Sequence, residues 1–217
     1  MWNEDEWDEE DEHLMEYVSI RLDSHIESVF NLPSDQVVMF HKPVTQISPS
    51  KLQKFTDLVA RNLNELYIKH QGKNWKVEKV EEMKEVGLVY VWYENKSNHE
   101  LIGFISFKVC FDDGFKVLYL YEIQINEEYH HQRYGSNLIE NLQSLAKHVS
   151  RSIINDDNGY FDNARGISLT VFPDNLEALN WYFKIGYNYT SQSPRDRKLR
   201  NGKLVKPKYY VLHRPSV

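Results

Sequence analysis

Glu122 is the first residue whose setting suggests chemistry. It interrupts an otherwise apolar strand, with Leu118, Leu120, Ile123 and Ile125 around it. A carboxylate so placed is either desolvated and able to accept a proton near neutrality, or hydrogen-bonded as part of the structure. Past that strand comes a short polar loop, Glu127-Glu128-Tyr129-His130-His131-Gln132-Arg133-Tyr134, and a helix is predicted from Gly135-Ser136. A helix N-terminus offers unpaired backbone N–H groups and the positive end of its dipole, so it can hold a phosphate. Gly135 would let the backbone approach an anion closely, although an ordinary helix cap reads the same way. The adjacent His130 and His131 have no partner cluster, so no metal is expected. Cys110 lies on an apolar strand without an obvious base, which argues against a thiol nucleophile.

The elements that must position these residues follow from periodicity. Leu14, Val18, Leu22, Ile26 and Val29 predict a helix over 13–31, ending before Pro33. A second helix starts near Ser48-Pro49-Ser50, with Leu52, Phe55, Val59, Leu63, Leu66 and Tyr67 as its stripe. From Val86 the period changes to strands: 88–93, 101–110 and 117–125, separated by polar turns, read as an antiparallel meander. Leu138, Ile139, Leu142, Leu145, Ala146 and Val149 then mark a helix, and residues 150–165 a surface loop. A fourth strand runs from Ile167 to Phe172, and Asn175 caps a short helix that Gly186 ends. Tyr187 onward and Lys206 to His213 read as paired strands joined through the Asn201-Gly202 turn signal. The expectation is one α/β domain with a mixed, mostly antiparallel sheet flanked by helices and a C-terminal β-hairpin.

Composition narrows the class. The chain of 217 residues is 41% hydrophobic, enough for one sizeable core. No apolar run approaches the roughly 20 residues of a membrane span, and the Met-Trp-Asn-Glu-Asp-Glu start lacks the features of a secretory signal. A single cysteine argues against a disulfide framework and for a reducing compartment. Eight acidic residues crowd positions 1–12, and removing them from the 32 acidic groups leaves 24 against 26 basic ones. Residues 1–12 therefore read as a disordered acidic arm, a solubilising tail or a lure for a basic substrate, ahead of a domain over 13–217. The stretch from Arg195 to Lys208 holds seven Lys or Arg against one Asp. It reads as a solvated face, a clamp for a phosphate, or a patch making weak contact with nucleic acid.

The loop before the predicted helix resembles motif A of the GNAT superfamily of acetyltransferases, whose pyrophosphate loop reads Arg/Gln-x-x-Gly-x-Gly/Ala. His130 falls at the Arg/Gln position, Arg133 at the first glycine and Gly135 at the second. The segment Asn175-Leu-Glu-Ala178-Leu-Asn-Trp-Tyr182-Phe-Lys-Ile-Gly186-Tyr187 resembles the superfamily's Asn-x-x-Ala…Tyr-Glu-Lys-Leu-Gly-Phe motif. Within the superfamily, Val117 to Ile125 and Leu169 to Asn175 are similar to the NatD-type N-terminal acetyltransferases of histones two-A and four. Asn74-Trp75-Lys76 and Glu81-Glu82-Met83 fit the same family.

That resemblance implies roles. Acetyl-CoA would be the cosubstrate, with no metal. Glu122 would be the general base, and Tyr182 would stand where many GNAT enzymes keep a general acid, unless it only packs. Ile123, Gln124 and Ile125 would bond the pantetheine arm; His131, Gln132, Arg133, Tyr134, Gly135 and Ser136 would hold the pyrophosphate; Asn175 would contact the cofactor. Tyr67, Trp75, Tyr119, Tyr121, Thr170 and Tyr210 would line the peptide groove. A family acid that grips a substrate arginine falls on Cys110, and Asp112 or Asp113 could stand in for it. The implied activity is acetyl transfer to the N-terminal amine of histone tails, by a monomer in cytoplasm and nucleus. The rival readings are a GNAT enzyme for lysine side chains or small amines, and a non-catalytic acyl-CoA-binding module.

Overall fold

A computed structural model describes residues 9–112, 115–151 and 165–216 of the chain. Helix α1 (Glu9–Val29) begins four residues before the predicted domain start, so residues 9–12 of the expected acidic arm are helical; the rest of that arm lies outside the described residues. Strand β1 (Val37–Pro43) follows, then α2 (Pro49–Gln71), α3 (Trp75–Glu82), β2 (Val89–Asn95), β3 (Leu101–Asp112) and β4 (Phe115–Ile125). After these come α4 (Tyr134–Arg151), β5 (Gly166–Val171), α5 (Leu176–Lys184), β6 (Asn188–Tyr189), β7 (Arg197–Lys198), β8 (Leu204–Val205) and β9 (Tyr210–Pro215). The expected surface loop at 150–165 falls mostly outside the described residues.

Seven strands form one sheet in the order β1-β2-β3-β4-β5-β9-β6. Every neighbouring pair is antiparallel except β4 and β5. The predicted pairing of the segment after Tyr187 with the C-terminal strand is present as β6 on β9. The Asn201-Gly202 turn, however, closes a separate two-stranded ribbon of β7 and β8 and does not join β6 to β9 directly. Two elements were not expected. β1 covers the outer edge of β2, and α3 carries Trp75 and Lys79 inward.

The local reasons for the main elements are ordinary. The Ser48 hydroxyl accepts the Lys51 N–H at 3.3 Å and Pro49 occupies the first turn of α2. The Asn175 side chain accepts the Ala178 N–H at 3.2 Å and starts α5, which ends at Gly186 with φ of 95°. All six apolar residues of the predicted α4 stripe are at most 1% exposed. They join α1 and α5 in a core on one face of the sheet, while α2 and α3 build a second, aromatic core on the other.

Two irregularities in β4 make a site. β4 pairs with β5 at three positions only among the described residues, Leu118 with Ile167 to Leu120 with Leu169. Beyond them the two strands part, and among the described residues β4 runs on to Ile125 without a partner strand on that side. On its other side, Leu120 opposes Phe107 and Glu122 opposes Ser106, so Tyr121 is the extra residue of a β-bulge. A bulge kinks the strand and re-aims the side chains beside it.

Candidate active site

Where β4 and β5 part, a cavity of about 1100 Å³ opens between the sheet, α2, α3, the start of α4 and α5. Fifteen residues predicted from the sequence line it. Tyr119, Tyr121, Glu122, Ile123, Gln124 and Ile125 come from β4, Thr170 from β5, and Asn175 and Tyr182 from the α5 region. His131, Arg133, Tyr134, Gly135 and Ser136 come from the α4 entry and Tyr67 from α2.

Three predicted residues are placed otherwise, and the side chain of a fourth is not described. Trp75 is 1% exposed and lies behind Tyr67, ring centroids 4.3 Å apart, with its indole N–H donating to Asn64 at 3.2 Å. Its size makes it a support for the groove wall, not part of the wall. Tyr210 is buried, and its hydroxyl donates to Asp196; the neighbouring Tyr209, just ahead of β9, lines the cavity instead. The Gln132 side chain turns back to donate to the Glu128 carbonyl at 3.0 Å and is exposed. The Asp112 side chain, and Asp113 altogether, lie outside the described residues.

The α4 entry is shaped to expose N–H groups. Its first intrahelical bond is Asn137 N–H to Arg133 C=O at 2.9 Å, which leaves the N–H groups of Tyr134, Gly135 and Ser136 at the open end of the helix. His131 and Arg133 both hold left-handed backbone, φ of 61° and 68°. Arg133 thus adopts, without glycine, the conformation for which glycine is the usual residue, and successive N–H groups in such turns form anion-binding concavities. His130 reaches from this loop to the Ile125 carbonyl, 2.9 Å away, and fixes the loop to the end of β4.

Glu122 is 6% exposed and densely bonded. The Tyr67 hydroxyl donates to its Oε1 at 2.9 Å, and Lys79 Nζ lies 2.6 Å from the same oxygen. Gln124 Nε2 donates to Oε2 at 2.7 Å, and Gln124 in turn accepts from Asn62, which also donates to the Ile125 carbonyl at 3.0 Å. The two settings that sequence set against each other for Glu122, burial and hydrogen bonding, are both present. Burial disfavours the charge of Lys79, but the carboxylate of Glu122, then Tyr67 and Glu82, outweigh it and hold its pKa above the ordinary lysine value. Burial also raises the Glu82 carboxyl, against the pull of Lys79. The Tyr182 phenol is pushed up by burial first, then by Tyr187 and Glu122, so it keeps its proton at any ordinary pH.

Sequence reasoning missed Lys79 and Asn62, and gave Glu82 a place in the resemblance but no role. Lys79 and Asn62 lie in charged or polar stretches that read as solvated faces. Among the described residues, no group of three His, Cys, Asp or Glu is placed to hold a metal ion, and no helix is long and apolar enough to cross a membrane.

Residues 57–158, covering the splayed strand and the α4 entry, match the Acetyltransferase (GNAT) family. That match takes in just under half of the chain. Over 168 residues it is 32% identical to N-alpha-acetyltransferase 40 of Saccharomyces cerevisiae, an alignment covering 66% of this chain and 55% of that protein. The chain thus spans just over half the length of that relative. Two solved structures share the GNAT fold. Arabidopsis thaliana NAA60 in complex with a bisubstrate analogue has a TM-score of 0.50 at 17% identity, over 82% of this chain and 98% of that one. An acetyltransferase from Streptococcus agalactiae has a TM-score of 0.56 at 13% identity, over 84% and 99%. Within the matched residues the edge of β4 beyond its pairing with β5, the buried carboxylate and the open helix end share one cavity.

Proposed function

We propose that this chain is an acetyl-CoA-dependent N-terminal acetyltransferase acting on the α-amine of histone tails that begin Ser-Gly-Arg-Gly. The observation that carries the reading is the parting of β4 from β5 beside Glu122, with a helix N-terminus at the far end of the same cavity. Acetyl-CoA fits the chemistry of that lining. The backbone at 123–125, apart from the Ile125 carbonyl that Asn62 and His130 hold, can pair with an extended amide chain as an added strand would, and the N–H groups of residues 134–136 with the Arg133 side chain can hold a pyrophosphate. When bound, the cosubstrate supplies an activated acetyl carbonyl. The related N-alpha-acetyltransferase 40 and the NAA60 structure with acetyl-CoA support this choice.

The chain's own groups divide the proton work. Glu122 accepts the proton that the substrate's ammonium must lose, a modest demand because an α-amine titrates near pH 8. The Tyr182 phenol, kept protonated by its burial, donates to the departing sulfur. Tyr67, Tyr119, Tyr121 and Thr170 wall the peptide end of the cavity, with the Tyr119 and Tyr121 rings 5.6 Å apart, edge to face. Such walls admit a tail that begins with small residues and hinder a bulky second side chain. The exposed β7–β8 ribbon with Arg197 and Lys198 would add a weak contact to nucleic acid beside the tail, and the enzyme would work as a monomer in cytoplasm and nucleus.

Acetyl transfer onto free and N-blocked histone tail peptides, read by mass spectrometry, tests the activity. Transfer to the free peptide alone is expected; equal transfer to the blocked one would favour the rival reading of a lysine acetyltransferase. Within the free peptides, Ser-Leu tails should turn over far more slowly than Ser-Gly tails, and equal rates would remove the narrow groove.

A further inference from the structure

Lys79 is a buried cation in the wall of the substrate cavity that sequence gave no reason to notice, with its side chain 4% exposed. Its Nζ lies 2.6 Å from Glu122 Oε1, pairs with Glu82 on the same helix, and sits over the Tyr67 ring at 5.4 Å from the centroid. The Tyr67 hydroxyl donates to that same Oε1, so both of its lone-pair sites are taken. Among the described residues Oε2 receives the Gln124 amide alone, which leaves one of its sites open. A buried ion pair is seldom worth more to stability than apolar side chains of the same volume. Stability alone is therefore a poor reason for an ammonium here.

We infer that Lys79 is a positioning residue of the transfer reaction: by filling Oε1 of Glu122 together with Tyr67, it leaves Oε2 as the one atom that takes the substrate's proton. The inference rests on Glu122 being the proton acceptor. In that step an N–H bond of the substrate's ammonium breaks, the proton passes to Oε2, and the electron pair stays on nitrogen for the attack. Lys79 also faces two carboxylates, Glu122 and Glu82, so this wall keeps an excess negative charge that favours an incoming ammonium. The other titratable groups that face Glu122 are Tyr67 from α2, Tyr90 from β2 and Tyr182 from α5.

A double-mutant cycle decides it. Turnover of a Ser-Gly-Arg-Gly peptide and the melting temperature are measured for the full chain, for Lys79→Met, for Glu122→Gln and for the pair. Glu122→Gln is expected to lose roughly 10²–10⁴-fold in kcat. Lys79→Met should lose about tenfold or more in kcat with the acetyl-CoA KM little changed, and its acid limb should move to higher pH, because a buried carboxylate without its cation is harder to ionise. The double variant removes both partners of the pair and leaves only the part-exposed Glu82 without its cation, so it should match Glu122→Gln to within about twofold. If Lys79→Met does not fold, the comparison of the double variant with Glu122→Gln decides alone. A double variant slower by the product of the single effects, or Lys79→Met at wild-type kcat, overturns the role of Lys79 and leaves Glu122 standing. Wild-type kcat in Glu122→Gln overturns both.

Discussion

Replacing Glu122 by glutamine reverses one donor in a chain of side chains whose direction is fixed at both ends. Asn62 donates to the Ile125 carbonyl at 3.0 Å and to Gln124 Oε1 at 2.9 Å; Gln124 donates to Glu122 at 2.7 Å; Tyr67 and Lys79 donate from the other side. A glutamine at 122 can still accept from Tyr67 and Lys79, but its amide then meets the Gln124 amide, donor against donor. Turning Gln124 over moves the conflict to Asn62, and turning Asn62 over breaks its bond to Ile125. One buried hydrogen bond is lost wherever the chain settles, at about 1–3 kcal/mol. Removing one partner of a buried ion pair costs up to about 3–5 kcal/mol, and here Glu82 still partners Lys79, which keeps the total near the lower figure. A loss of about 3 kcal/mol at ~2–4 °C per kcal/mol lowers the melting point by roughly 6–12 °C. Thermal melts read this directly, beside peptide acetylation normalised to folded protein. The double variant Glu122→Gln with Gln124→Glu lets residue 124 accept from both neighbours, so it should recover most of the melting point while turnover stays low. A Glu122→Gln melt within about 2 °C of wild type would refute the clamp. A double variant no more stable than the single one would refute its direction.

Other variants probe the frame of the site. A Cβ at Gly103 would stand 2.6 Å from the Gln124 carbonyl oxygen, so Gly103→Ala should cost about 1–3 kcal/mol in a melt and raise the acetyl-CoA KM by shifting the β4 edge. Gly135→Val should weaken acetyl-CoA in calorimetry with the fold retained; unchanged affinity would remove the pyrophosphate from this loop. The His41 pKa is raised, first by its hydrogen bond to Asp23 at 2.8 Å, so the fold favours protonated His41. That stabilisation is whole below about pH 6.5 and fades as pH rises through the higher folded value. His41→Gln should therefore narrow the difference between melts at pH 5.5 and 8.5, and parallel curves would show the bond contributes nothing.

Periodicity was a good guide where one face of an element is apolar, as in α4, whose stripe from Leu138 to Val149 is wholly buried. It missed β1 because that strand is a short edge ending in Pro43, with only its end residues buried. It missed α3 because the inward residues of that helix are a tryptophan and a lysine, not an apolar stripe. The same blindness hid Lys79, since a lysine among glutamates reads as solvated. The left-handed backbone at His131 and Arg133 was equally hidden, because neither residue type signals it. The predicted cavity-lining residues came mostly from resemblance instead, and at the start of β9 Tyr209 lines the cavity where Tyr210 was expected.

The most direct test of the account offers both kinds of amine in one molecule. A Ser-Gly-Arg-Gly-Lys peptide with a free N-terminus is incubated with the chain and acetyl-CoA, and the product is fragmented in a mass spectrometer to place the added acetyl group. The account predicts acetyl on the N-terminal serine, with the lysine unmodified and the signal absent in Glu122→Gln. Acetyl on the lysine side chain, or none while acetyl-CoA still raises the melting point, would contradict it.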